Sequence, residues 1–398
     1  MTATGGFEVR VLPPGIADDR MRLRAEVTSP ALGDRELWFE VGEARAGAVT
    51  DRADPFVVST LLLAMAEGAD LHVSGAPVDP VLRRNLVEFQ RIWSAWFGYD
   101  TVEIHAEVAP AGNPAPASVV AFSGGADSAF SAWWHASGRA GPDRPLRGAM
   151  MIHGIDIPVT ETVGFAGAVA RSRRMVDSLG LELAVVATNA WTLPVPIGHF
   201  TGMGVAAALH VLGGQFGAGL VPSTATYRDL VVPLNTSPVS DWLLGSSRFE
   251  IVHDGARYNR LEKLRFLSEW PEAMDSLRVC LDDPRHDRNC GVCHKCMMTL
   301  AAFRVLGVEP RCFDRMPTGD ELRGWARTLP SRPYYLQEGS FLLAAAAERD
   351  VDEPWVRTLR RRVRTAYTKQ AVRAAWPGLA DGAASLHRRA RSALPTRR

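Results

Sequence analysis

Two groups of residues in this chain have the types and spacing to do chemistry. The first is the hexapeptide Ser123, Gly124, Gly125, Ala126, Asp127, Ser128, set between the apolar run SVVAF and a helix-patterned run. Adjacent glycines allow a tight turn and a close approach of backbone to an anion. The N–H groups of Ala126, Asp127 and Ser128 would open the helix and point at that anion, where the helix dipole favours negative charge. Ser123 and Ser128 add hydroxyl donors. A lysine-bearing phosphate loop of the form G-x-x-x-x-G-K-[ST] is absent, as is G-x-G-x-x-G. The second group is Cys280, Cys290, Cys293 and Cys296, ending in C-x-x-C-x-x-C. Three thiolates at that spacing can wrap one ion, and Cys280 completes a tetrahedron. Four thiolates favour Zn²⁺ in a closed structural site. His294 sits inside the cluster, but four thiols already fill the ligand count.

The elements that must position these groups can be read from periodicity. FEVRVL, RLRAEV and ELWFEV alternate like half-buried strands, and FVVSTLLLAMAEGA is helical, with Asp54 as its expected N-cap and Pro55 at its first position. Val78–Phe97 is amphipathic, and TVEIHAEV reads as a closing strand. These form an N-terminal α+β domain, 1–109. The stretch PAGNPAP, with three prolines in seven residues, reads as a linker. After it strands alternate with helices: SVVAF, 126–138, RGAMMIH, 161–179, ELAVVAT, 198–213, GAGLVPS. That alternation, four strands with three helices between them, predicts a Rossmann-like parallel sheet, expected to be five-stranded once one further strand joins it, with ligands beyond the strands' carboxyl ends. Residues 117–312 would form this domain, with the cysteine knuckle at 280–296. Residues 313–398 would form a helical, basic extension, since Asp381 is the one acidic residue from Trp355 onward.

Composition limits the function classes. The chain has 398 residues, is 46% apolar and 22% charged, and carries a net charge of +1, so no overall field points to nucleic acid or a membrane. The N-terminus lacks a signal-peptide pattern. The apolar stretch 201–220 is broken by glycines and holds His210 and Gln215, so it reads as a buried helix and strand. Five cysteines without a secretory signal imply a reducing, cytoplasmic setting.

The complete SGGADS, after a strand and before a helix, resembles the signature of the PP-loop ATP pyrophosphatases. The resemblance implies that the loop binds the pyrophosphate portion of ATP, with Mg²⁺. A carboxylate or carbonyl oxygen attacks the α phosphate, pyrophosphate leaves, and the adenylated carbon accepts nitrogen or sulfur. Asp127 would ligate Mg²⁺ or cap its helix. The cysteine pattern, LEKLRFLSEWPEAMDSLRVC before it and MMTLAAFRVLGV after it resemble the 7-cyano-7-deazaguanine synthase family over about Ser118–Val308. On that match Lys263 is a phosphate ligand; the alternative is an exposed lysine paired with Glu262 or Asp254. An iron–sulfur cluster is the rival to zinc, because some sulfur-transferring members carry one.

The chain also departs from that family. VPSTATYRDLVVPLNTSPVSDWLLGSS has no Asp-Tyr or Pro-Asp-Cys-Arg element, so the resemblance implies a different acceptor. Ser223, Thr224, Tyr227 and Arg228 would face the nucleotide, and Asn235, Thr236, Ser237 and Asp241 would line the mouth or serve local turns. His153, Asp156 and Thr188 lie at strand ends where ribose or adenine would bind. The expected catalytic set is Asp127, Lys263 and Arg228. The expected activity is an ATP-dependent, C–N bond-forming ligase that makes an amide or nitrile from a small-molecule carboxylate or carbonyl and a nitrogen donor. Sulfur transfer and tRNA modification are the enzymatic alternatives, and an ATP-binding regulatory module the non-enzymatic one. Nucleic acid is not favoured, no membrane role is expected, and a homodimer is compatible with the chain.

Overall fold

The computed structural model describes residues 6–141 and 145–375. The arginine-rich end beyond 375 and the first five residues lie outside the described residues. Two compact units are present, one running to Cys290 together with Pro310–Phe313, the other comprising Gly291–Glu309 and the chain from Asp314.

The first unit opens with an antiparallel meander, β1 (Phe7–Ala17), β2 (Arg20–Ser29) and β3 (Gly33–Gly42), whose alternating residues put Phe7, Val9, Ala25, Val27, Leu37, Phe39 and Val41 in the core. Helix α1 (Asp54–Glu67) follows, then β4 (Leu71–Ser74), α2 (Pro80–Phe97) and the two-residue β5 (Ile104–His105). Asp79 caps α2 through Val81 N–H at 2.8 Å. Ala53, not Asp54, is the N-cap of α1; the Asp54 carboxylate instead accepts Asp79 N–H at 2.9 Å. The run TVEIHAEV is a strand only at Ile104–His105, with one bridge from Val108 to Val78.

Residues 110–116 carry no helix or strand. Beyond them come β6 (Ser118–Ala121), α3 (Ala126–Ala136), β7 (Leu146–His153), α4 (Thr162–Ser178), β8 (Glu182–Thr188), α5 (Ile197–Val211), β9 (Ala218–Pro222) and β10 (Glu250–Asp254). These five strands are parallel in the order β10-β9-β6-β7-β8. Counted from β6 as the first, that is 3-2-1-4-5, a doubly wound order that departs in both directions from its first strand. Right-handed crossovers put α3 and α4 on one face and α5 on the other, where α1 packs against it. α1 is buried from Asp54 to Met65, which explains its apolar sequence on all sides.

The sheet does not stop at five strands. β3 pairs antiparallel with β8, Phe39 opposite Thr188 and Val41 opposite Val186, so one sheet of ten strands runs from β10 to β5. The expected five-stranded sheet is thus the parallel part of a larger one. The physical reason lies at β8: its apolar run would otherwise present an open edge of unpaired backbone groups. Asn189 extends the joint, accepting Trp38 N–H (2.9 Å) and donating to Glu36 O (2.7 Å).

After β10 the chain forms α6 (Arg260–Leu267) and α7 (Pro271–Ser276). The second unit holds α8 (His294–Leu306), α9 (Gly319–Thr328), α10 (Pro333–Glu348) and α11 (Pro354–Ala375); α11 packs on α9 and α10, and Arg304 forks onto Glu353 at 2.8 Å. No helix among the described residues is long and apolar enough to cross a membrane.

Candidate functional site

β6 is the strand from which the parallel order turns in both directions, so its carboxyl end is the switch point where ligands settle in open α/β sheets. The chain leaves it through Phe122, whose N–H reaches Met150 O at 2.8 Å, and enters Ser123–Ser128. Gly124 has φ +75°, a left-handed conformation that a side chain would strain, and a Cβ there would sit 3.2 Å from Ser172 Oγ. Gly125 is the N-cap of α3 and offers no side-chain cap. Ser128 Oγ accepts Ser123 N–H and donates to Gly125 O, each at 3.1 Å, which closes the turn on itself. Ser123 is exposed and Ala126 is buried against the core.

Asp127 is held from α6, the helix that packs against α3. Arg260 Nη1 donates to Oδ2 at 2.8 Å and Lys263 Nζ to Oδ1 at 3.2 Å. The two cations lie three residues apart on the first turn of α6, hence on one face. That turn is fixed by a capping box in which Asn259 Oδ1 accepts Glu262 N–H and Glu262 Oε2 accepts Asn259 N–H. Lys263 is therefore not a solvated helix lysine paired with Glu262 or Asp254. It is 1% exposed, and its Nζ also donates to Ser223 O at 2.5 Å. Asp254 is instead taken by His135 Nε2 at 2.9 Å. Burial acts to raise the Asp254 carboxyl, and the bond and charge of His135, with the Lys263 charge among the further causes, together outweigh it and leave it below its ordinary range.

The other expected contacts divide. Ser223 is fully buried and its hydroxyl donates to Ala225 O at 2.5 Å, while Thr224 is exposed. The Arg228 side chain is 77% exposed and reaches Asp229 Oδ2 at 3.3 Å; among the described residues it makes no bond to Asp127. Thr188 donates to Trp38 O at 2.7 Å and accepts Ala190 N–H, so its hydroxyl is spent closing the sheet. His153 stacks on Phe165 with ring centres 4.0 Å apart and bonds Pro158 O through Nε2 at 2.9 Å; burial holds its pKa below the usual value. Asp241 turns inward, accepting Ser237 N–H (2.9 Å) and His253 Nδ1 (2.8 Å), so neither it nor the buried Ser237 lines an open mouth.

Sequence reasoning passed over Arg260, Asn289 and Arg278. Arg278 is 7% exposed, donates its N–H to Gly124 O at 2.8 Å and sends Nη2 to Ser123 O at 3.2 Å and to within 3.7 Å of Asp156 Oδ2. The capping pattern N-x-x-E around Arg260 is a usable signal; nothing near Arg278 marks it.

Cys280, Cys290, Cys293 and Cys296 place their Sγ atoms all within 4.8 Å of one another, and none is in a disulfide. A tetrahedral site with Zn–S of about 2.3 Å needs sulfurs about 3.8 Å apart, so the set fits a four-thiolate metal. Cys293 Sγ accepts Cys296 N–H at 3.4 Å. His294 is not part of the cluster; its ring lies 5.8 Å from Tyr335. Cys312 is buried, and burial pushes its thiol up to about 12. Around Ser123–Ser128 the fit to a resident Mg²⁺ is poor, because the loop supplies one carboxylate and Arg260 and Lys263 already bond it.

No protein-family model, no curated protein and no solved structure matches this chain.

Proposed function

We propose that this chain is an ATP-dependent ligase of the PP-loop type, which adenylates a carboxylate or carbonyl oxygen, releases pyrophosphate and AMP, and passes the activated carbon to a nitrogen donor. The observation that carries it is the meeting of Ser123–Ser128, at the switch point of a 3-2-1-4-5 sheet, with a buried lysine from a helix 136 residues further along the chain. The backbone at the start of α3 binds and orients the leaving pyrophosphate. Lys263 and Arg260 fix Asp127 against the loop and place positive charge beside it. Lys263 also grips Ser223 O, so the end of β9, where the acceptor would enter, is tied to the same cation. Adenylation serves such an acceptor because AMP leaves where oxide or hydroxide cannot.

Nitrogen is favoured over sulfur as the second substrate. Four of the five cysteines gather in one cluster suited to structural zinc, and the fifth is a buried thiol held protonated, unsuited to carrying a persulfide. The 7-cyano-7-deazaguanine synthase family offers the nearest chemistry, with a different acceptor because its substrate segment is replaced here.

The test is product analysis. With MgATP, ammonia and a panel of carboxylic acids, AMP and pyrophosphate should form in equal amounts, and labelled pyrophosphate should exchange into ATP once an accepted acid is present. ADP with orthophosphate would refute the proposal. ATP binding without exchange for any acid would favour the regulatory module.

A further inference from the structure

The segment Leu277–Cys280 touches both chemistry-bearing parts of the chain. Arg278 takes two successive carbonyls of the phosphate loop, Gly124 O with its backbone N–H (2.8 Å) and Ser123 O with Nη2 (3.2 Å). A trans peptide is planar, with N–H opposite C=O. Pinning those two carbonyls toward Arg278 therefore turns the N–H groups of Gly124 and Gly125 to the other side, where Gly125 N–H meets Ser123 Oγ at 3.3 Å and where the proposed anion would sit. It also keeps two partial negative charges away from that anion. On its other flank the segment runs into the first thiolate. Val279 and Cys280 donate their N–H groups to Asn289 Oδ1 (2.9 and 3.2 Å), and Asn289 Nδ2 donates back to Leu277 O (2.8 Å). Asn289 immediately precedes Cys290. Two of the four thiolates and two of the loop's carbonyls are thus fixed by one short, buried length of backbone.

We infer that Arg278 is a positioning residue that couples metal occupancy of the cysteine cluster to polyphosphate binding at Ser123–Ser128. This rests on the proposed role of that loop. A metal that draws Cys280 and Cys290 together fixes Leu277–Cys280, and Arg278 passes the constraint to the loop amides. Coupling between two binding equilibria is reciprocal, so the nucleotide must tighten the metal by the factor by which the metal tightens the nucleotide.

The test uses the full zinc-loaded chain and α,β-methylene ATP, which cannot release pyrophosphate. Zinc affinity is measured by competition with a chromophoric chelator, with and without saturating analogue. The analogue should raise zinc affinity about tenfold, within the usual range for linked sites. In Arg278→Lys, which keeps the charge and the backbone bond but loses the fork, and in Arg278→Met, the rise should fall below about twofold, with one zinc still bound per chain. A purely structural role would lower stability without touching this linkage. If Arg278→Met does not fold, Arg278→Lys and the wild-type measurement decide. Analogue binding with unchanged zinc affinity, or full linkage in Arg278→Lys, overturns the coupling and leaves the nucleotide reading standing. No analogue binding to the zinc-loaded chain overturns both.

Discussion

Replacing Asp127 by alanine should unfold more than it informs. Read from sequence, Asp127 opens its helix and would ligate Mg²⁺ or cap that helix, with no partner across the chain in view. The structure places Lys263 Nζ 3.2 Å and Arg260 Nη1 2.8 Å from that carboxylate, with both cations buried. Removing one partner of a buried ion pair costs about 3–5 kcal/mol, because the remaining charge stays in a medium that solvates it poorly. Lys263 keeps Ser223 O at 2.5 Å, a charge-assisted bond, so the lower end of that range applies. A loss of about 3 kcal/mol is a factor of about 150 in the folded-to-unfolded ratio. Urea unfolding followed by tryptophan fluorescence reads it directly. The pairing makes a second, sharper claim. Asp127→Asn combined with Lys263→Met removes two of the three charges and leaves Arg260 an amide acceptor, and should be about 1 kcal/mol more stable than Asp127→Ala. If Asp127→Ala alone stays within about 0.5 kcal/mol of wild type, the buried pair does not carry the energy assigned to it. Loss of AMP formation should therefore be judged in Asp127→Asn.

Four further outcomes follow from the same geometry. Gly124→Ala forces a side chain into φ +75° and against Ser172, so it should lose about 1–2 kcal/mol of stability and weaken binding of the ATP analogue in calorimetry. Thr188→Val breaks the bond to Trp38 O and should cost about 1–2 kcal/mol while AMP formation per folded molecule persists; a selective loss of ATP affinity would show that Thr188 meets the nucleotide after all. Cys293→Ser should lose bound zinc, by elemental analysis, together with soluble yield, since metal binding and folding are linked. Asp54, 3% exposed, is raised from 3.8 to about 7, by burial first and by the Asp79 charge in addition, against the opposing bond from Asp79 N–H. The native state then holds a proton that the unfolded chain gives up at lower pH, so this group's contribution is full below about pH 4 and is lost as pH rises to about 7. Asp54→Asn should flatten the fall in stability over that window, and an unchanged pH profile would refute the assignment.

Local pattern revealed the parallel strands up to β9, because their apolar runs and the intervening helices obey the periods that burial imposes. It did not reveal where the sheet ends. Pairing of β3 with β8 joins residues some 150 positions apart, and nothing in ELWFEV distinguishes a strand that closes its own small sheet from one that extends a larger sheet. β10 escaped notice for a different reason. Its polar Glu250, His253 and Asp254 hide the run, yet inside the fold Asp254 bonds His135 and His253 bonds Asp241.

The site shows the same division with more consequence. SGGADS and the cysteine spacing are local devices, so the turn and the thiolate cluster are legible from residue order alone. What makes the turn specific arrives from elsewhere: Lys263 and Arg260 on a later helix, and Arg278 from the length of chain leading to Cys280. A helix N-terminus alone accepts any anion of suitable size. Here the first carboxylate is held by two buried cations, and two carbonyls of the turn are held by a third, which is the arrangement the proposed polyphosphate role draws on. Three of the expected residues, His153, Thr188 and Arg228, stand where strand ends suggest ligands. Their side chains are claimed instead by Pro158, Trp38 and Asp229, bonds that sequence pattern does not encode. Proximity to a strand end therefore nominates a residue, and only the accounting of its hydrogen bonds decides whether it remains available to a substrate.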